Sequence, residues 1–527
     1  MTYGRPGVYV NETLIPAPVA ASGSANAAGA AIGAFPQGPS TVTLVRSWFD
    51  FVQQFGGFNS SFPATFGINQ FFVNGGSELY VRRILGSGAA VASVSIPKST
   101  PGNLGTASSI NKGADSNNLR IQVTGTATAN YYNLTVLKEI ASTYLGTNNA
   151  NGTNDAIVEQ FTNVRFDDNT HSDYAQAVVN ATSQYIVLDL NAEGTPATQA
   201  ITAVLPLTGG SDGSAPGYAD YTAVVATDGT SEFDAVDRPL VIFAPNIYEK
   251  FVVDGDASAT THMASVHDAL IAWANSGSGF AIIDTAPSLT VAQAIAYITA
   301  RTASSHAAGY YPHYFIQDPT ARSAQALRKT APAGAIAGVY MANDKTTGPF
   351  KSPAGVNASV RSAISLERAF TPADLDSLNT GVYLSGETTT YGTSVNAIRN
   401  LPGAGIVVMG ARTLLQDGTA NKYVSTRRSL IYITKQLQNL TQFAVFRNND
   451  PKLWSQLKTT VSVFLNEYRN QGGLRGVNAS QAYYVKVDST NNTAASIATG
   501  VVNIQVGVAL EYPAEFVVIN LSQITGN

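Results

Sequence analysis

The most informative part of this chain reads GIVVMGARTL at residues 405–414 and KYVSTRR at residues 422–428. A run of helical character follows at residues 429–442, and the segment FAVFRNNDPKLW comes next at residues 443–454. Together these segments predict the centre of an α+β C-terminal domain, which we place at residues 401–508.

The helix that starts at Pro451 is the clearest element of this domain. Asp450 is expected to cap this helix, because an Asp side chain accepts hydrogen bonds from the free N–H groups of the first turn, and Pro fits the first helical position. One face of the helix is apolar and carries Leu453, Trp454, Leu457, Val461, Phe464, Leu465 and Tyr468. The opposite face carries Lys452, Lys458, Glu467 and Arg469, which either face solvent or contact a partner.

Composition narrows the class of protein. A chain of 527 residues is too long for one ordinary core and predicts two to four domains. Charged residues make up only 13% of the chain, about half the usual share. A surface with few charges is weakly protected against association, which suits a protein that packs against copies of itself. The net charge of −4, without a block of Lys or Arg, argues against nucleic acid as the main partner.

Other classes of protein are disfavoured by what the sequence lacks. It contains no cysteine, so we expect neither disulfides nor a thiolate metal site. No apolar run reaches about 18 residues, so we expect no insertion into a membrane. The opening residues, MTYGRP, are not a basic segment followed by an apolar one, and we therefore expect no secretory signal.

The rest of the pattern predicts an α/β and α+β multidomain chain. Apolar runs alternate with helical runs at residues 216–400, which is typical of a mostly parallel sheet covered on both faces. Residues 26–86 supply the first part of this α/β core. Residues 87–215 are rich in Thr, Ala, Asn and Gly, with short alternating runs, and predict a β-rich outer domain inserted between the two parts of the core.

Both ends of the chain predict extended strands. Residues 1–25 form an N-terminal arm and linker in which Val8, Val10 and Leu14 are the apolar positions. Nothing follows this strand at hairpin spacing, so we expect it to pair with a distant strand. Residues 509–527 form a C-terminal arm with Val517 and Ile519 at alternate positions. The alternating run at residues 501–508, just before the arm, suits a strand that closes the sheet of its own domain.

A search for catalytic groups yields weak candidates. Asp284 and Asp318 follow two predicted parallel strands, at the edge where open α/β sheets bind ligands. Their sequence context, with Pro287 and Pro319 close by, favours ordinary turns. Ser211 lies in a Gly-x-Ser-x-Gly pattern, but this pattern requires a helix directly after the serine, and Pro216 follows instead.

The histidines and glycines indicate no metal or cofactor site. His262 and His267 are five residues apart, which does not align them on one helix face, and we expect His267 to be a packing residue. No zinc-ligand spacing and no phosphate-binding loop occurs. We therefore predict no catalytic, cofactor-binding or metal-binding residues.

The order of the motifs resembles that of the contractile tail sheath family, which forms the outer tube of contractile phage tails and related injection systems. The motifs that carry this resemblance besides the C-terminal ones are RPGVYV at 5–10, FFVNGGSELYVR at 71–82, GYYP at 309–312, AIAGVY at 335–340 and VNAIR at 395–399. The chain departs from the family at residues 447–450, where RNND replaces the common Glu-Pro-Asn, and residues 87–215 match no family motif.

The resemblance implies a structural subunit rather than an enzyme. Such a subunit polymerises in stacked rings around a tail tube, and its rearrangement drives the tube through a target envelope for genome ejection. The implied partners are copies of itself, the tail tube protein, and baseplate and tail-terminator proteins, without nucleic acid or direct membrane insertion. The implied location is the virion tail, assembled in the host cytoplasm.

The resemblance also implies roles for particular segments. The C-terminal domain faces the tube, so Lys452, Lys458, Glu467 and Arg469 are tube-facing candidates. The arms of neighbouring copies add strands to this domain, because an open sheet edge accepts one more strand through main-chain hydrogen bonds. The alternative is a hydrolase or ligand-binding enzyme that uses Asp284 and Asp318.

Overall fold

The fold is described from a computed structural model of the chain. The structure describes residues 27–515 except 100, 140–154, 192–193, 195, 197–202, 278, 324, 386 and 416–417. The predicted arm positions Val8, Val10 and Leu14, as well as Val517 and Ile519, lie outside the described residues.

An eight-stranded, mostly parallel sheet forms the centre of the fold. Its strands, in spatial order, are Thr43–Val45 (β2), Leu79–Arg83 (β3), Ala28–Gly33 (β1), Leu240–Phe243 (β11), Gly279–Asp284 (β12), Ala307–Tyr311 (β13), Asn396–Leu401 (β19) and Gly405–Val408 (β20). The inner strands are parallel, and β2 and β20 are antiparallel at the two edges. Every residue of β1, β11, β12 and β13 is buried, as expected for parallel strands covered on both faces.

Helices cover both faces of this sheet. One face packs against Trp48–Phe55 (α1), Ala64–Val73 (α2) and Ala333–Thr346 (α8). The other packs against Tyr218–Ala223 (α4), Ile247–Val253 (α5), Ala259–Ser276 (α6), Val291–Thr299 (α7) and Pro372–Thr380 (α9). Two apolar cores therefore lie above and below a single sheet.

Glycines allow α2 and α8 to touch. A Cβ on Gly334 would lie 2.1 Å from the carbonyl oxygen of Gly67, and one on Gly338 would lie 2.3 Å from that of Phe71. The two glycines of the AIAGVY region therefore serve close helix packing, where a larger residue would force the helices apart.

Two antiparallel sheets lie between β3 and β11 in the sequence. The first contains Ser93–Pro97 (β4), Asn103–Ser109 (β5) and Ile186–Leu190 (β9). The second has the order Val204–Pro206 (β10), Leu119–Gly125 (β6), Tyr132–Glu139 (β7) and Asp155–Val164 (β8). With the helix Ala175–Thr182 (α3), they enclose an apolar core of their own, which includes Ile121, Leu134 and Phe166.

Smaller antiparallel sheets complete the middle of the chain. One contains Tyr314–Gln317 (β14), Leu327–Thr330 (β15) and Ser365–Leu366 (β16), and the other is the hairpin of Val382–Ser385 (β17) and Thr388–Tyr391 (β18). The strand before Asp318, which the sequence predicts to be parallel, is β14, and this prediction is wrong because β14 pairs antiparallel with β15 and β16. The parallel strand at this point is β13, which ends at Tyr311 just before Pro312 and was hidden by its small residues and glycine.

The last part of the chain combines helices with one small sheet. Its elements are Val424–Thr441 (α10), Pro451–Asn470 (α11), Ala479–Ala482 (α12), Tyr483–Lys486 (β21), Ala494–Ala498 (α13) and Gln505–Val508 (β22). α10 begins five residues before the helical run that the sequence predicts, because Val424 and Ser425 are buried against the core. Asp450 caps α11 as predicted, accepting a hydrogen bond from the backbone N–H of Leu453 at 2.8 Å.

The observed architecture is a mixed α/β, multidomain one, with the large sheet accompanied by several small antiparallel sheets. Among the described helices, none combines the length and the apolar character that crossing a bilayer requires.

Candidate assembly surface

The two-stranded sheet of β21 and β22 packs one face on α11. Tyr483 and Val485 of β21 and Val506 and Val508 of β22 lie on this face, next to a small core formed by residues such as Val461 and Leu465. A sheet of only two strands is marginally stable alone, so the contact with α11 stabilises it.

The hydrogen-bond pattern of this sheet fixes which main-chain groups point outward. The N–H of Ala509 donates to the carbonyl of Ala482 at 2.8 Å, and the pairing continues with Tyr483 opposite Val508. Inward-bonded and outward-facing residues alternate along an antiparallel strand. The N–H and C=O groups of Val506 and Val508 therefore point away from β21, to the outer edge of β22.

Within the part of the chain that the structure describes, no strand pairs with the outer edge of β22, and this edge is open there. An unpaired edge is a template for another strand, and the side chains of Val506 and Val508 extend an apolar surface toward an incoming strand. The edge of β22 is therefore the candidate assembly surface.

The other face of this sheet has a different character. The ring of Tyr484 lies across Gly507, where an added Cβ would be 2.0 Å from the ring. Tyr484 is 53% exposed. Only glycine fits under this ring, so the strand keeps an aromatic surface on the side that faces away from α11.

The predicted tube-facing residues of α11 differ in their surroundings. Lys452, Lys458 and Glu467 are exposed on the face opposite the apolar stripe. Arg469 is half-buried, and its guanidinium donates to the carbonyl oxygen of Val477 at 3.0 Å. Three of the four are therefore free to meet a partner, whereas Arg469 stabilises the loop after its own helix.

The predicted carboxylate pair lies on one cavity but has no shared geometry for catalysis. Asp284 and Asp318 line a cavity of about 370 Å³ at the carboxyl end of β12. Asp318 follows an antiparallel strand and accepts hydrogen bonds from the N–H (2.9 Å) and hydroxyl (2.6 Å) of Thr320. Asp318 thus forms the turn that its sequence context favours.

Asp284 belongs to a buried polar group. The Nε2 atom of His267 lies 3.6 Å from Oδ1 of Asp284, and Nδ1 of His267 is 2.9 Å from the hydroxyl of Tyr297. Burial raises the pKa of Asp284 to about 7 and lowers the pKa of His267 to about 3. Both side chains are at most 2% exposed, so His267 is the packing residue that the sequence predicts.

Ser211 lies in a loop rather than on a nucleophile elbow. Its main chain forms an isolated bridge with Ala90, and its Oγ accepts a hydrogen bond from the N–H of Gly213 at 3.1 Å. No helix follows it directly, since α4 starts at Tyr218. Among the described residues, no group of three or more His, Asp or Glu side chains is arranged to hold a metal ion.

One contact that the sequence did not indicate joins the C-terminal helices to the core. Arg428 of α10 pairs with Asp344 of α8, with 2.9 Å between Nη1 and Oδ1, and both side chains are nearly buried. The guanidinium of Arg428 also lies over the ring of Tyr340, 4.6 Å from its centre. The basic segment KYVSTRR therefore contributes a buried ion pair.

Comparison with known proteins gives matches in both sequence and fold. Residues 416–524 match the family model of the phage tail sheath C-terminal domain. A tail sheath protein of Vibrio phage KVP40 is 26% identical over 165 residues, which are 30% of this chain and 21% of that protein. The match thus spans only about a fifth of the length of this curated relative.

The fold is similar to those of solved sheath proteins along nearly the whole chain. The helical sheath of the anti-feeding prophage in the contracted state matches with a TM-score of 0.55 and 20% identity, over 98% of this chain and 99% of that chain. The sheath of the extracellular contractile injection system PVC, also contracted, gives 0.54 and 19% over 99% and 98%. The sheath tail protein of Listeria innocua gives 0.58 and 12% over 89% and 90%.

The motif order, the C-terminal family match and the shared fold agree. Residues 416–524 carry the C-terminal domain of the phage tail sheath family, and the chain has the fold of solved sheath proteins.

Proposed function

We propose that this chain is the structural subunit of a contractile tail sheath. It polymerises as stacked rings around a tail tube and contracts by rearrangement of its subunits, which drives the tube through a target cell envelope. The observation that carries the proposal is the fold match to sheath subunits over 98–99% of both chains. The tail sheath family is one of structural proteins rather than enzymes.

Strand addition at the open edge of β22 explains how copies are joined. The outward main-chain groups of Val506 and Val508 offer hydrogen bonds to an incoming strand, and their side chains offer an apolar surface on the α11 side. The alternating positions Val8, Val10 and Leu14, or Val517 and Ile519, of another copy supply such a strand. A contact of this head-to-tail kind does not close on itself and builds a helix of subunits.

The proposed domain arrangement follows the family. Residues 401–508 form the inner, tube-facing domain, with Lys452, Lys458 and Glu467 exposed on α11. Residues 26–86 and 216–400 form the core, and residues 87–215 form decoration on the outer surface. Residues 1–25 and 509–527 are the arms that link copies while the rigid domains move.

Contraction requires two packings of the same subunits. The extended packing is kinetically trapped, and the contracted packing is lower in free energy. Links made by main-chain strand pairing survive such a rearrangement, because they hold a neighbour through a segment rather than through a rigid face. The proposed partners are therefore other copies of the chain, a tail tube protein, and baseplate and terminator proteins at the two ends of the tube.

Negative-stain microscopy of the purified chain tests the proposal. We expect hollow helical tubes for the full chain. Removal of residues 1–20, or of residues 516–527, should abolish the tubes and leave the circular dichroism spectrum nearly unchanged. Normal tubes from both truncated chains would contradict assembly by the arms, and a strictly monomeric full chain would contradict the sheath itself.

A further inference from the structure

The chain leaves the β21–β22 sheet immediately after β22. The carbonyl of Ala509 accepts a hydrogen bond from the N–H of Arg475 at 2.8 Å, and Leu510 forms a single bridge with Leu474. The hydroxyl of Thr426 then reaches the carbonyl of Glu511 at 3.4 Å. Residues 509–515 therefore cross from the small sheet to the first turn of α10.

Aromatic contacts hold the middle of this crossing. The guanidinium of Arg475 lies 5.2 Å from the ring centre of Tyr512, which is an attractive cation–π distance. The ring of Tyr423, the residue before α10, is 6.4 Å from the same ring. Tyr512 is thus held from two sides.

The crossing ends at an ion pair with two hydrogen bonds. The guanidinium of Arg412 donates to both carboxylate oxygens of Glu515, at 2.9 Å from Nε and 2.5 Å from Nη2. The side chains are 13% and 21% exposed, so solvent screens the pair only in part. Two-point Arg–carboxylate pairing fixes orientation as well as distance.

Arg412 is itself rigidly placed. Its Nη1 donates to the carbonyl of Asn379 at 2.7 Å. The side chain of Asn396 accepts a hydrogen bond from the backbone N–H of Arg412 at 2.7 Å and donates one to the backbone carbonyl of Arg412 at 2.8 Å. Asn396 is the first residue of β19 and is buried. Glu515 is therefore fixed to the end of the central sheet, away from the edge of β22.

This course affects where the remaining residues can pair. The shortest way to add to the edge of its own β22 is a hairpin that reverses within a few residues of Val508, and residues 509–515 do not make that reversal. To return from Glu515 to Val508, the chain would use about seven residues, which span about 23 Å when extended. Residues 516–527 together span about 40 Å when extended. About five residues would then be left for a strand on its own copy, whereas all twelve residues of 516–527 are available to a neighbouring copy, so pairing with the neighbour is favoured.

We infer that the Arg412–Glu515 ion pair is a clamp that directs residues 516–527 to a neighbouring copy and keeps them from pairing with the β22 edge of their own copy. The inference rests on the proposed function, in which the C-terminal arm joins two copies. Arg412 is a positioning residue in this scheme, because it acts on the arm through Glu515.

A photo-crosslinking experiment tests the clamp in the full-length chain. Ile519 is replaced with p-benzoylphenylalanine, which crosslinks to any nearby C–H group. Isotope-labelled and unlabelled copies are mixed in equal amounts, allowed to associate and irradiated. Mass spectrometry of peptides that contain residues 505–508 then gives the ratio of crosslinks between copies to crosslinks within one copy.

The variants distinguish the effect of the Arg412–Glu515 ion pair from the effect of the net charge of residues 509–515. We expect crosslinks between copies in the wild-type background. R412E should lower the ratio about tenfold, the size expected for loss of a charge-assisted pair, and the double swap R412E/E515R should restore it. E515Q gives a milder change that leaves Arg412 intact. E511Q is the matched control, because within the described residues the Glu511 side chain forms no ion pair.

The outcomes distinguish the clamp from the proposed function. An unchanged ratio in both R412E and E515Q, with wild-type crosslinks between copies, would overturn the clamp and leave the sheath proposal standing. Wild-type crosslinks confined to one copy, or absent from residues 505–508 in either copy, would overturn arm exchange and the clamp together.

Discussion

Arg83 Nη2 lies 2.9 Å from Oδ1 of Asp212, although 129 positions separate the two residues in the sequence. Arg83 closes the last strand before the two antiparallel sheets, and Asp212 follows those sheets. The same guanidinium also donates to the carbonyl of Lys112, which lies between β5 and β6 of the antiparallel sheets. It donates as well to the carbonyls of Phe35 and Gly38, which follow β1 of the central sheet. One buried side chain thus fixes the antiparallel sheets to the central sheet.

Replacement of Arg83 should therefore destabilise the junction. R83M keeps the length of the side chain but leaves several buried carbonyls without a donor, which costs about 3 kcal/mol in free energy of unfolding. D212N should cost about 1 kcal/mol, since its side chain is 37% exposed. Calorimetry of both variants checks this order. A smaller effect for R83M than for D212N would contradict the role of Arg83.

The contact between α2 and α8 leads to a second prediction. G334A places a methyl group against the carbonyl of Gly67, so we expect a loss of about 1–3 kcal/mol. G125A is the control, because an added Cβ there has nothing within 4 Å. Urea unfolding followed by circular dichroism compares the two. Equal stability of both variants would show that the helices are not in close contact.

The buried pair of His267 and Asp284 predicts an unusual dependence of stability on pH. The folded-state pKa of His267 is lowered to about 3, so its contribution to stability is lost as pH falls from about 6.5 toward 3. The folded-state pKa of Asp284 is raised to about 7, so its contribution is lost as pH rises from about 4 toward 7. Between about pH 4 and pH 6.5 the two slopes oppose each other.

D284N separates these two contributions. The variant removes the carboxyl group that titrates, so the free energy of unfolding should rise with pH across this window by up to about 1.4 kcal/mol per pH unit. H267N should show the opposite slope. Chemical unfolding at several pH values measures both, and Arg301, whose charge also lowers the pKa of His267, stays unchanged. Parallel curves for the two variants would contradict the assignment.

The exposed charges of α11 predict a separation between folding and partner binding. Reversal of Lys452 or Lys458 should change the free energy of unfolding by less than about 0.5 kcal/mol, because both side chains are exposed. R469A should cost about 1 kcal/mol, because Arg469 donates to Val477. If the helix faces the tube, the lysine variants should bind the tail tube protein less at low salt, and co-sedimentation measures this. Unchanged binding would place the tube contact elsewhere.

The sequence predicted best those features of helices and strands that depend on neighbouring residues in the chain. Asp450 caps its helix as expected, because capping depends on residues within one turn. β13 was missed, since AAGYY lacks the branched residues typical of strands and is held in the sheet by burial on both faces. β14 was placed in the wrong sheet, because an apolar run does not reveal which strand it pairs with.

The candidate surface was harder to predict than the fold. The alternating run at residues 501–508 indicated a strand, but which main-chain groups point outward depends on the pairing of Ala509 with Ala482. Contacts such as Arg412 with Glu515 join residues that are 103 positions apart, and no local pattern indicates them. The family resemblance led to the proposed function, whereas the structure identified the unpaired edge of β22.

The most direct test of the account compares V508P with V508A. Both replace the valine side chain, but only proline removes the outward N–H of residue 508, and it leaves the inward bonds to β21 in place. Tube formation is measured by sedimentation and negative-stain microscopy, with circular dichroism to verify folding. The account predicts tubes from V508A and none from a folded V508P, whereas normal tubes from V508P would contradict assembly through the edge of β22.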